Sequence, residues 1–281
     1  MSKIAIISDS TAYLPDEMLT DYQIHTLPLV LTWDGKTYLD GIDLTPQNFY
    51  QLLKQRSSVP TTSQPPSLEF LQLYERLAED VEGILVSVIS SGISGTYGSA
   101  MAAKVEFDKV PVEVIDTQTA AGGHALVTLA AARAAMDGKS LEEVKRAARD
   151  VVDRLGTYFV VDTLEYLHKG GRIGGASRYF GTALQIKPIL YMNDQGKIDA
   201  LEKARTKTKA LGRLIELVDE KAGGNPARIC IMHSDAPEEA QRMQGRLEVE
   251  LDCIEVFIVE LSPVIGAHVG PGTIGVAVYA G

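Results

Sequence analysis

Apolar positions along the chain follow two rhythms. Short apolar runs bounded by polar, Gly or Pro clusters predict buried strands, and longer stretches with apolar residues three and four apart predict helices. In the first half, strands are expected at Ile4–Ile7, Ile24–Leu31, Gly83–Ile89 and Val112–Asp116, with a turn at Asp34-Gly35 leading into a short strand near Tyr38. Pro15 opens a short helix. Thr45 and Pro46 are suited to N-cap and first helical position of another, which puts Phe49, Leu52 and Leu53 on one face. Further helices are predicted from Ser67 to about Asp80, from about Ser99, from Thr119 to Met136, and from Ser140 to Leu155, where Ser140 and Glu143 have capping-box spacing.

This alternation of strand and helix implies a parallel sheet covered on both faces. The second half changes character. Strands at Tyr158–Val161, Ile189–Met192 and Lys197–Ala204 include a hairpin across a turn at Asp194–Gly196. A helix at Lys207–Lys221, a strand at Arg228–His233, a helix at Pro237–Leu251, and strands at Ile254–Leu261 and Thr273–Tyr279 follow, with a Gly-rich loop before the last. A hairpin beside βαβ units predicts a mixed sheet with helices on one face. The fold class is therefore α/β in two domains, three-layer over residues 1–155 and two-layer over 156–281, with the boundary near Leu155. No internal repeat or low-complexity tract interrupts it.

At 45% hydrophobic and 23% charged, the 281 residues read as an ordinary globular protein with room for a cavity. The formal charge of −10 argues against a nucleic-acid binder. Cys230 and Cys253 lie in apolar runs and read as reduced thiols, with no CxxC and no zinc-like spacing. The N-terminal apolar run is too short for a signal peptide, and no stretch is long enough to span a membrane, so a cytoplasmic location is expected.

Four features carry candidate chemistry. Ser90–Tyr97, "SSGISGTY", lies between a strand and a helix, where unpaired N–H groups and hydroxyls suit a phosphate or carboxylate; a tight turn with capping serines is the structural alternative. Thr61–Pro65 is a hydroxyl-rich stretch within the loop Ser57–Ser67, able to donate to a ligand oxygen or simply to turn at the surface. His268 stands among Gly266, Gly270 and Gly272. Lys169–Arg213 holds ten Lys/Arg against three Asp/Glu, so a positive face on an acidic protein is expected, and Arg172 among glycines suits a phosphate or an acidic partner. A serine hydrolase using Ser94 and His268 is a competing reading, weakened because Thr96 occupies the second glycine position of the nucleophile elbow and no orienting carboxylate is identifiable. A module for a phosphorylated small molecule is another.

The motifs "SDSTAYLP", "PTTSQPPS", "SSGISGTY", "VIDT", "YLHKGGRIG", "KPIL" and "GAHVGPG" stand in the order found in the DegV family, from Ser8 to the C-terminus. The resemblance implies a long-chain fatty acid buried between the two domains, and no other cofactor. It also implies that the protein presents the acyl carboxyl group to a separate ATP-binding fatty acid kinase subunit, rather than catalysing alone. The carboxylate contacts of the family fall here on Thr62, Ser63, Ser94, Gly95 and His268. Arg172 matches an Arg of the family's "GGRI" motif, expected at the kinase-facing rim, and Arg205 lies in a similarly basic stretch expected to face the kinase or a phosphate. The absence of a Walker or protein-kinase motif fits a donor that arrives on another chain. Among possible tunnel residues, Phe159, Ile186, Leu190 and Ile265 read equally well as core.

Overall fold

The computed structural model describes residues 3–56, 58–181 and 186–281; Ser57, at the start of the expected hydroxyl-rich loop, lies outside them. The first half runs β1 (Ile4–Asp9), α1 (Asp16–Asp21), β2 (Ile24–Leu27), β3 (Val30–Trp33), β4 (Lys36–Leu39), α2 (Pro46–Gln55), β5 (Thr61–Ser63) and α3 (Ser67–Leu77). It continues through β6 (Gly83–Val88), α4 (Thr96–Glu106), β7 (Val112–Asp116), α5 (Gly122–Met136) and α6 (Leu141–Arg154). The second half comprises β8 (Gly156–Val160), α7 (Glu165–Lys169), β9 (Lys187–Met192), β10 (Ile198–Ala204), α8 (Lys207–Ala222), β11 (Ala227–His233), α9 (Pro237–Glu250), β12 (Cys253–Glu260), α10 (Pro263–Val269) and β13 (Ile274–Ala280).

The four apolar strands of the first half pair in parallel in the order β2-β1-β6-β7. Successive side chains of a strand point to opposite faces, and the burial follows that period. Ile84 and Val86 pack with Phe70 and Tyr74 of α3 and with Ala100 of α4, whereas Leu85 packs with Leu126 and Leu129 of α5. The second half forms a six-stranded mixed sheet, β10-β9-β8-β13-β11-β12, in which only β11 and β12 are parallel neighbours. One of its faces packs on α8 and α9 through residues such as Ile229, Val276, Leu214 and Leu247. Its other face, with Phe159, Leu190, Met232 and Ala277, packs on α5 from the first half. Helix α5 carries buried residues around its whole circumference, as a helix between two sheets must. The expected α/β architecture is present, with α5 serving both sheets.

Four local expectations are corrected. The single strand expected over Ile24–Leu31 is broken at Pro28, which has no N–H for a ladder; β2 joins the parallel sheet and β3 starts another. That other sheet is small and antiparallel, β4-β3-β5, and it captures Thr61–Ser63, expected as loop, by pairing Thr62 with Leu31. The Gly-rich stretch is mostly the helix α10. Ser262 caps its first turn through Ile265 N, and Pro263 starts it. A Cβ on Gly266 would lie 2.6 Å from the Tyr50 hydroxyl, so glycine lets α10 sit directly on α2. Helix α4 also begins at Thr96, one turn before the expected Ser99.

Buried polar groups tie the carboxyl end of β1 to its neighbours. Asp9 is fully buried, accepts from Thr11 N at 2.9 Å, and accepts from Ile89 N, just past β6, at 2.7 Å. Among the described residues, no helix is long and apolar enough to cross a membrane. Both cysteines are free. Asp9→Ala leaves two backbone donors without acceptors, and each such orphan costs about 1–3 kcal/mol. It should lower unfolding stability by roughly 2–4 kcal/mol in urea titration followed by circular dichroism.

Candidate functional site

Ligand sites of open α/β sheets sit beyond the carboxyl ends of the parallel strands. Here the segments leaving β6 and β7 meet β5, α10 and the inner face of the six-stranded sheet around one cavity. Its volume is about 90 Å³. Its shaft is built from Leu29, Ile89, Ala121, Phe159, Ile198, Met232, Leu261, Val264, Ile265 and Val269, all nine-tenths or more buried. Thr157 and Thr273 also line it, but their hydroxyls are engaged by Thr119 and by the Val269 and Gly270 carbonyls, so they add little polarity.

One end is polar. Thr62, Ser63 and Gln64 come from β5 and its continuation, Ser94 from the segment before α4, Arg172 from the link after α7, and His268 from α10. Thr62 Oγ1 lies 2.8 Å from His268 Nε2. His268 Nδ1 is buried without a partner, and Gly170 packs against it so closely that a Cβ there would lie 2.1 Å away. An orphaned N–H is costlier than a bare lone pair, so the proton belongs on Nε2, donating to Thr62. The Thr62 hydroxyl proton is then available to a ligand oxygen. Burial, and then the positive charge of Arg172, hold the imidazole down at about 4. His268 is thus a neutral donor group across the physiological range.

Arg172 supplies the charge. Its Nε donates to the Ile93 carbonyl and its Nη1 to the Gly170 carbonyl, both at 3.0 Å. No carboxylate among the described residues pairs with it. A half-buried guanidinium with a fixed plane and no counter-ion favours an anion beside it. Much of the surrounding basic segment is instead neutralised: Lys169, Arg178, Lys187, Lys207 and Arg213 all form ion pairs. The positive face expected from the charge count is therefore smaller than the sequence implied.

The fold brings Thr62, Ser63, Ser94, Arg172 and His268 to one cavity end. Gly95 N-caps α4 there, against the Gln64 side chain. Arg205 does not line the cavity; it lies exposed between β10 and α8. Of the four possible tunnel residues, Phe159 and Ile265 line the cavity, while Leu190 is plain core and Ile186 lies elsewhere. Sequence reasoning missed Leu29, Met192, Ile198 and Met232, which look like any other core residue until the sheets are placed. The hydrolase arrangement is not assembled: Ser94 Oγ bonds Thr96 Oγ1 at 2.8 Å, and His268 bonds Thr62 rather than Ser94. No group of three or more metal-ligating side chains occurs among the described residues.

A family model described as "Uncharacterised protein, DegV family" matches residues 3–281. The chain belongs to the DegV family. It is 37% identical to Protein DegV of Bacillus subtilis, across 97% of this chain and 98% of that one. A DegV family protein of Thermus thermophilus, described for its fatty acid binding, superposes with a TM-score of 0.93 at 33% identity over the whole of both chains. The crystal structure of DegV from Bacillus subtilis, a fatty acid binding protein, superposes at 0.92 with 35% identity, again over both whole chains.

The His268 environment predicts an acid sensitivity. Its folded pKa lies below the ordinary 6.5, so the unfolded chain takes up the proton first. Stability from the neutral ring is complete above 6.5 and is lost as pH falls towards 4. His25 and His233 are lowered too, so the check is a comparison. Between pH 6.5 and 4, this DegV protein should lose more stability in chemical denaturation than its His268→Gln variant.

Proposed function

We propose that this DegV protein binds one long-chain fatty acid and presents its carboxyl group to a separate ATP-dependent kinase subunit. The observation that carries the reading is a buried apolar shaft ending at Arg172, a cation with no counter-ion among the described residues, beside Thr62, Ser94 and His268. Each methylene moved from water into such a shaft contributes about 0.8 kcal/mol, so a long acyl chain binds tightly with few polar contacts. A shielded carboxylate needs donors to stay ionised, and hydroxyls, a neutral imidazole and a guanidinium supply them. A phosphorylated small molecule would leave the apolar shaft unused. The fatty-acid binding of the Thermus and Bacillus relatives supports the same reading.

The kinase role rests on the far side of the polar end. A second recess, lined by Pro60, Thr61, Lys169 and Gly170, shares Thr62, Arg172 and His268 with the cavity. A carboxylate bound at those shared residues stands between the lipid shaft and this open recess. An ATP brought by the partner would offer its terminal phosphate there, with Arg172 balancing its charge. The carboxylate oxygen bonds to that phosphorus as the bond to ADP breaks, leaving an acyl phosphate. Arg205, exposed further along the basic segment, belongs on this reading to the partner-facing surface.

Denaturing extraction of the purified protein and mass spectrometry of the lipid fraction test the first half. One fatty acid per chain is expected; no lipid, and no uptake of added fatty acid, overturns the reading. Thr62→Ala and Ser94→Ala should each weaken binding roughly tenfold, the loss of one hydrogen bond to a charged group. Arg172→Ala should keep binding within about fivefold, as expected when other donors still hold the carboxylate, but abolish phosphorylation of the bound lipid by the kinase subunit. Loss of binding instead would make Arg172 a head-group ligand alone.

A further inference from the structure

Asp40 lines neither the apolar shaft nor its polar end, yet it is buried at 2% exposure and joined to Leu29 and Val264, which do line the cavity. Its Oδ1 accepts from Val264 N, in the first turn of α10, at 3.0 Å. Its Oδ2 accepts from Ser10 Oγ at 2.6 Å, and that oxygen in turn accepts from Leu29 N at 3.0 Å. Asp40 N closes the circuit by donating to the Leu29 carbonyl at 2.9 Å. One carboxylate thus links the end of β1, the residue before β3 and the start of α10, across 224 residues of sequence.

The link matters because of what α10 carries. Val264, Ile265, His268 and Val269 all face the cavity from this single short helix. Its own side-chain cap is long, 3.4 Å from Ser262 Oγ to Ile265 N, so Asp40 provides the shorter anchor. Tyr50, donating to the Leu261 carbonyl, and Leu261 N, donating to the His233 carbonyl, hold the chain just before the N-cap, and the Gly266 contact with α2 holds the helix from the side, so Asp40 is the anchor that reaches the first turn itself. Burial pushes the Asp40 carboxyl up to about 7, against the pull of the Ser10 and Val264 bonds. An uncharged side chain of the same shape is therefore a fair replacement.

We propose that Asp40 is a positioning residue: by anchoring the first turn of α10 to Ser10, it sets where His268 meets Thr62 at the polar end of the cavity. Its effect on lipid affinity rests on the fatty-acid reading above; its effect on the His268 ring does not. The two readouts keep the inferences separable.

The experiment compares Asp40→Ala, Asp40→Asn, Ser10→Ala, His268→Ala and the double variant D40A/H268A. It reads the dissociation constant for palmitate by competition, and the ¹⁵N resonances of the His268 ring. Asp40→Ala should weaken binding about tenfold in the native background and by less than about twofold in the His268→Ala background, the non-additivity of residues acting through one another. Asp40→Asn keeps an acceptor for Val264 N and should stay within about threefold of native, with an unmoved His268 resonance. A folded Asp40→Ala protein with native affinity and a native His268 resonance overturns the proposal, as does an equal loss with and without His268. If Asp40→Ala does not fold, Ser10→Ala decides: it should shift the His268 resonance, and an unshifted one overturns the proposal. If the native protein takes up no palmitate while the Asp40→Ala resonance moves, the lipid reading fails and the positioning role stands.

Discussion

The constraint on which everything else depends is the burial of α5. A helix with buried positions around its circumference, and only Ala130, Arg133, Ala134 and Met136 reaching solvent, has little face to offer water, so it is stable only when covered on both sides. The parallel sheet covers one side through Ile6 and Leu85, and the mixed sheet covers the other through Phe159 and Met232. That sandwich fixes the spacing of the two sheets. It also brings the segments at the carboxyl ends of β6 and β7 against a foreign β-surface, and the cavity is the space left where α5 begins. The apolar shaft is thus a by-product of the same packing that holds the two halves together.

At the polar end, the choice of groups follows from the dielectric. A buried imidazole near a guanidinium stays neutral, and a neutral imidazole can orient Thr62 without adding a second positive charge. Arg172 alone brings full charge, and it is held flat by two carbonyls rather than by a carboxylate. An acidic partner within the protein would quench that charge at the cavity mouth. The remaining basic residues of the segment are largely paired, which confines the unquenched charge to the neighbourhood of the cavity mouth.

Strand and helix existence was legible because the periodicities are long and clean, above all in α5, α6, β1, β6 and β11. The polar motifs were legible as well, since hydroxyls and glycines clustered after an apolar strand have few structural uses. What stayed hidden depends on distance in three dimensions. Pro28 breaks a strand whose apolar run looks continuous, and the partner of Thr61–Ser63 is β3, some thirty residues away, so β5 read as loop. The glycines around His268 read as loop because the Ser262 and Pro263 start signal precedes a helix of only seven residues. Asp40 had no local signal at all: its partners are Ser10 and Val264, and nothing in "YLDGID" distinguishes it from a turn residue.

The satellite core beneath the small sheet has a geometric consequence. Leu31 and Trp33 of β3, Phe49 and Tyr50 of α2, and Val264 and Ala267 of α10 form one cluster separate from the main cores. Thr62 is held to β3 by strand pairing and His268 stands on α10, so their mutual bond joins two elements of this one cluster, while Ile265 and Val269 of α10 pack in the main core. Ser94 belongs to a different segment, the one that follows β6. The boundary between the two segments at the polar end therefore runs between hydroxyls, not through the imidazole.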